Sequence, residues 1–128
     1  MLDTFPLVRF FRDEPGAAHV EALLEASRHG RAQLLMSEIN AGELYYIVAR
    51  KAGAARAERA IAGLELFRVE VIPTTWSLVL EAAQLKADFP LSYADCFALA
   101  VARRHQAAVV TGDPEFKRVE HLVSIEWI

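Results

Sequence analysis

The chain has 128 residues, 54% of them hydrophobic and 24% charged, with a formal net charge of −3. This length suits one domain, 1–128, with a core of its own, and the composition excludes a disordered chain. The acidic balance excludes a protein that grips nucleic acid by bulk positive charge alone, and the lone Cys96 excludes an internal disulfide and a Cys/His zinc cluster.

In chain order, Phe5–Arg12 reads as a first helix, with Pro6 in the early turn where its missing N–H does no harm. Ala17–Arg28 is a second helix, apolar at Val20, Leu23 and Leu24. Gln33–Ser37 is a short strand, and Glu38–Ala52 a helix with Leu44, Ile47 and Val48 inward. Ala54–Phe67 is helical, Val69–Thr74 extended and Ser77–Ala87 helical. Leu91–Arg104 is the next helix, Ala107–Thr111 a β-branched strand and Val123–Ile128 a terminal strand. No linker, low-complexity tract or repeat interrupts this order. The longest apolar runs, Phe97–Ala102 and Ala107–Val110, fall far short of the roughly 20 residues a bilayer span needs. No export signal opens the chain, so the expected location is the cytoplasm, away from membranes.

Strands separated by one or two helices predict an α/β fold, a parallel sheet with helices on both faces. Ligands of such sheets sit beyond the carboxyl ends of the strands, and acids recur at those ends. Asp3 follows the first apolar residues and precedes a helix. Asp113 follows the best strand in the chain, with Gly112 expected to allow a sharp turn. Glu43 lies in the helix after Leu34-Leu35-Met36-Ser37, beside its apolar stripe, and Asp95 lies in the first turn of the helix opened by Leu91-Ser92. In a doubly wound sheet these four carboxylates converge on one crevice.

Each acid also has a purely structural reading. Ser92 and Asp95 fit a capping box; Asp3 suits a helix cap, Asp113 a turn before Pro114, and Glu43 a solvated helix face. The chemistry lies in the set. Two carboxylates about 4 Å apart repel by about 4 kcal/mol at an effective dielectric near 20, so a cluster of four raises its pKa values or holds a cation. Oxygen-only donors suit Mg2+ or Mn2+, and such an ion can bind a scissile phosphate and activate water.

The segments Leu2-Asp3-Thr4, Ser37-Glu38-Ile39-Asn40-Ala41-Gly42-Glu43-Leu44, Leu91-Ser92-Tyr93-Ala94-Asp95 and Thr111-Gly112-Asp113-Pro114-Glu115-Phe116 resemble the motifs of PIN-domain proteins. The nearest likeness is to the toxins of VapBC-type toxin–antitoxin systems, over essentially the whole chain. The resemblance implies a three-layer α/β/α fold with a mainly parallel central sheet and a metal-dependent endoribonuclease acting on RNA. It carries catalytic and metal-binding roles to Asp3, Glu43, Asp95 and Asp113, and supporting roles to Thr111, Ser37 and Thr4; Glu115 is peripheral. It further implies a homodimer and a small cognate antitoxin that covers or enters the acidic cleft. Relatives usually have several strand residues before the first aspartate, whereas Met1-Leu2 stand alone here. That difference predicts a weakened strand, an α-amino charge near the acids, and a higher melting temperature for a chain begun a few codons upstream.

Arg103-Arg104 and Lys117-Arg118 are candidate RNA-binding flanks, with Arg50-Lys51 and Arg9/Arg12 as further ones. Solvated helix ends explain the same cations. Tyr45-Tyr46 and Trp76 suit packing or stacking, the four histidines lack ligand spacing, and Cys96 reads as a small buried filler. The alternative to catalysis is a PIN-fold module that docks a protein or RNA without cutting. A phosphoacceptor receiver domain would need adjacent acids after strand one and a lysine after the last strand. A phosphatase opening on paired aspartates fails at Phe5.

Overall fold

The computed structural model describes all 128 residues. Its elements are α1 (Thr4–Arg12), α2 (Ala17–Arg28), β1 (Leu34–Ser37), α3 (Glu38–Ala52), α4 (Ala54–Leu66), β2 (Val69–Ile72), α5 (Trp76–Asp88), α6 (Tyr93–Arg104), β3 (Val109–Thr111), a 3-10 turn (Pro114–Val119) and β4 (Ile125–Trp127). β1 pairs with β2 and β3 with β4, both in parallel. Met1–Asp3 lies between the two pairs and joins them. Leu2 N donates to Leu35 O at 2.7 Å on one side, while Val110 N donates to Met1 O at 2.8 Å and Asp3 N to Val110 O at 3.2 Å on the other. The strand order is therefore β2-β1-(Met1–Asp3)-β3-β4, with the first residues of the chain at its centre.

Alternation along the strands sets the layers, because successive side chains point to opposite faces. Met1, Leu35 and Val109 pack with Leu78, Leu85 and the apolar side of α6. Leu2, Leu34, Met36 and Val110 pack on the other face with Leu7, Val20, Leu24, Leu44 and Leu64 from α1 to α4. Each fully buried leucine contributes roughly 1.5–3 kcal/mol, and the two faces together give three layers. α6 is buried along nearly its whole length, which fits its run of alanines under the sheet.

The helices match the sequence reading to within a residue or two, and the strands are shorter than expected. Leu91 and Ser92 stand outside α6, because the Ser92 hydroxyl caps it by accepting from Asp95 N. The turn Pro114–Val119 was not anticipated: Asp113 caps it by accepting from Glu115 N, with Pro114 at its start. The α-amino group also departs from expectation. It donates to Ala108 O at 2.7 Å, at the far end of the sheet from the acids, and the carboxylate it feels is Glu126. No helix is long and apolar enough to cross a membrane.

Candidate metal centre

The carboxyl ends of Met1–Asp3, β1 and β3 open on a cavity of about 490 Å³ whose wall includes Asp3, Glu43, Asp95 and Asp113. Each reaches it by a different local device. Asp3 terminates the central extended segment and caps α1: one carboxylate oxygen accepts from Thr4 N at 2.6 Å and the other from the Thr111 hydroxyl at 2.8 Å. Thr111 in turn accepts from Asp113 N at 3.0 Å, and Asp113 from Glu115 N at 2.8 Å. A continuous chain of bonds thus fixes Asp3 relative to Asp113. Asp95 closes the capping box at the start of α6, accepting from Ser92 N at 3.3 Å. The capping and site readings of Asp95 are compatible, since its carboxylate does both.

Glu43 projects from the second turn of α3. The Thr4 hydroxyl donates to one of its oxygens at 2.6 Å and the Tyr46 hydroxyl to the other at 3.2 Å. Ser37 acts one step removed, capping α3 at Asn40 N and bonding the Asn40 side chain.

The electrostatics are those of crowded, poorly compensated acids. Asp3 is 2% exposed. Burial first, then the charges of Asp95 and Glu43, push its pKa up to about 7 against the hydrogen bonds from Thr111 and Thr4. Burial likewise raises Asp95 to about 6; the Ser92 hydrogen bonds oppose this, and the charges of Asp113 and Glu43 add to it. No ion pair in the protein involves any of the four acids.

No three acidic, histidine or cysteine side chains are grouped closely enough to hold a metal ion between them. The acids are spread around the wall of an open bowl. A magnesium ion keeps several waters and takes only one or two carboxylates directly. An all-oxygen wall with buried, uncompensated charge and space for water fits such an ion.

Sequence reasoning missed one acid of this wall and one support, and set a second acid, Glu115, aside as peripheral. Glu14 and Glu115 both line the cavity. Asn40 is fully buried, and its amide nitrogen donates to Ala94 O at 3.3 Å and Thr4 Oγ1 at 3.4 Å, tying α3 to α6 and α1. The available signal was a polar residue one turn before Leu44, on the buried side of α3. Asn40→Ala removes the acceptor of the Ser37 hydroxyl proton and the amide donor to Ala94 O and Thr4 Oγ1. We expect a loss of about 1–3 kcal/mol of stability, measured by urea unfolding.

The cations also differ from expectation. Arg103, Arg104, Lys117 and Arg118 do not line the cavity; Arg104 pairs with Glu81 at 2.6 Å and Arg118 donates to Pro90 O at 3.0 Å. Of the further candidates, Arg9, Arg12 and Lys51 do occupy the wall. Gly112 has a different role from the turn expected of it, since its φ is not positive. A Cβ there would collide with Cε1 of Phe5, so glycine lets the β3 exit pass beneath the ring. Gly112→Ala must displace Phe5 and is expected to cost about 1–3 kcal/mol in chemical denaturation. Cys96 is buried, its thiol pushed up to about 11 by desolvation, as befits a filler.

The family model described as the PIN domain matches residues 1–122. Among solved structures, the Mycobacterium tuberculosis VapC20 toxin, which cleaves the sarcin–ricin loop, is similar at TM-score 0.74 and 18% identity, covering 92% of each chain. VapBC2 from Rickettsia felis, solved with a fragment of promoter DNA, has TM-score 0.73 and 20% identity over 98% of this chain and 96% of its own. VapBC-1 from nontypeable Haemophilus influenzae has TM-score 0.69 and 23% identity over 99% and 96%. No curated protein matches the chain.

Proposed function

From the premise that this chain belongs to the PIN-domain family, we propose that it is a metal-dependent endoribonuclease, the toxin of a toxin–antitoxin pair. The observation that carries the reading is the single cavity shared by Asp3, Glu43, Asp95 and Asp113, the pKa values of Asp3 and Asp95 being raised by burial and by neighbouring carboxylate charges. Asp3, Asp95 and Asp113 would hold Mg2+ or Mn2+, directly or through water. A bound divalent ion supplies charge for the phosphodiester and acidifies water.

The chain's own groups do the rest. Glu43 keeps a free lone pair on each oxygen beyond its bonds to Thr4 and Tyr46, so it accepts a proton from the attacking water and orients it. Thr111 and Thr4 hold Asp3 and Glu43 in place. Arg9, Arg12 and Lys51 stand where phosphates flanking the cut bond would lie. Water adds to phosphorus, one P–O bond breaks, and the leaving oxygen takes a proton from solvent.

Two of the similar solved structures are VapBC complexes, which supports a small antitoxin as the partner of this chain. A homodimer acting in the cytoplasm completes the proposal. The test is cleavage of a fluorogenic RNA with Mg2+, Mn2+ or chelator, beside Asp3→Asn and Asp95→Asn. Metal-dependent cleavage lost in both variants supports the enzyme. Inactive wild-type protein would instead indicate a PIN-fold binding module, and equal cleavage by all three would indicate a contaminant.

A further inference from the structure

A second, larger groove of about 790 Å³ runs between α1, α3 and α4. It shares Val8, Arg12, Ile47 and Lys51 with the acidic cavity, so the two are continuous. Its cations are Arg12, Lys51, Arg56 and Arg59, and no acidic residue lines it. Arg12 pairs with the exposed Glu14 at 3.1 Å. Lys51, Arg56 and Arg59 make no ion pair and no side-chain hydrogen bond anywhere in the protein. In a chain of net charge −3, three uncompensated cations concentrated beside an acidic centre are complementary to a polyanion. The apolar lining includes the Phe11 ring, 42% exposed, which offers a face for base stacking.

We propose that this groove is the track for a single RNA strand leaving the acidic cavity, with Lys51, Arg56 and Arg59 contacting successive phosphates on one side of the cut bond. The inference rests on the ribonuclease reading of the adjoining cavity and deepens it. Continuity with that cavity favours RNA over an acidic helical peptide, which the same cations and apolar floor would also attract.

The experiment measures fluorescence anisotropy of a labelled oligouridylate of about 12 nucleotides, long enough to cover one such site, over a salt series. The parent is Asp95→Asn in Mg2+, to which Arg56→Gln/Arg59→Gln is added. A control removes equal charge elsewhere, by Arg103→Gln/Lys117→Gln, and melting temperatures establish that each variant is folded. Losing two single-strand phosphate contacts flattens the log–log salt dependence by about 1.4 and weakens binding roughly tenfold or more at 0.1 M salt. The groove pair is expected to show both effects and the control pair neither.

Unchanged affinity and slope in the groove pair would overturn the proposal, as would an equal loss in the control. So would a result in which the groove pair loses binding only to a poly-glutamate peptide. Cleavage by the wild type is scored separately. Its absence would sink the ribonuclease reading, while the anisotropy comparison still decides where RNA lies.

Discussion

Asp3→Asn and Asp95→Asn are expected to lower RNA cleavage by more than about a hundredfold while leaving the metal-free fold at least as stable at pH 8. The activity loss follows from position. Removing a group that merely orients a metal ligand costs about 10–100-fold, and these two carboxylates line the cavity itself. The stability half separates this account from simple damage. Asparagine is nearly isosteric with aspartate, and at position 3 its oxygen can still accept from Thr4 N while its amide donates to Thr111 Oγ1. It also removes a buried charge that Asp95 and Glu43 repel. A variant that is inactive but melts no lower than wild type fits a functional carboxylate. An inactive variant that melts much lower would point to a structural one. Single-turnover cleavage and thermal unfolding on the same preparations read both halves.

The second expectation concerns pH. Asp3 has a folded pKa raised to about 7 and Asp95 one raised to about 6, against an ordinary aspartate near 3.9. A carboxyl with a raised folded pKa contributes stability that is fully present below about pH 4. That contribution is lost as pH climbs through the folded values, so the metal-free protein weakens between pH 4 and pH 7. For Asp3 alone the loss is on the order of 4 kcal/mol, and the shared repulsion with Asp95 prevents simple addition of the two.

A divalent cation held by the ionised acids would have the opposite trend. At a concentration a hundred times its Kd it stabilises by about 2.7 kcal/mol. A chain of this size should then gain roughly 8–13 °C at pH 8. At pH 5 protons occupy Asp3, the metal must displace them, and little gain is expected. Thermal unfolding with Mn2+ or chelator at both pH values checks this. Equal stabilisation at pH 5 and pH 8 would mean that the ion binds elsewhere.

Most of the fold was readable because local and global signals agree. Capping residues Ser37 and Ser92 stand at helix starts, and the short apolar runs Leu34–Ser37 and Val109–Thr111 suit strands buried on both faces of a parallel sheet. The four acids were readable as a set because they fall just past strand ends or near helix starts, where a parallel sheet gathers its ligands. What escaped has physical reasons as well. Asn40 works through contacts with Ala94 and Thr4, remote in sequence, and its one local signal is a polar residue a turn before Leu44. Gly112 was read for backbone freedom, whereas its requirement is space beneath Phe5, which only packing reveals. Arg103-Arg104 form the most conspicuous basic pair, yet α6 carries them away from the strand ends. Of the groove cations, Lys51, Arg56 and Arg59 stand within nine residues across the α3–α4 turn, but no spacing rule joins Arg12 to them.

The most direct test is a crystal of the protein soaked in Mn2+ and measured for anomalous scattering. The proposed centre requires a peak in the bowl bounded by Asp3, Asp95 and Asp113, absent from Asp95→Asn crystals grown alike. A peak only at other surface carboxylates, or one that survives unchanged in Asp95→Asn, would contradict it.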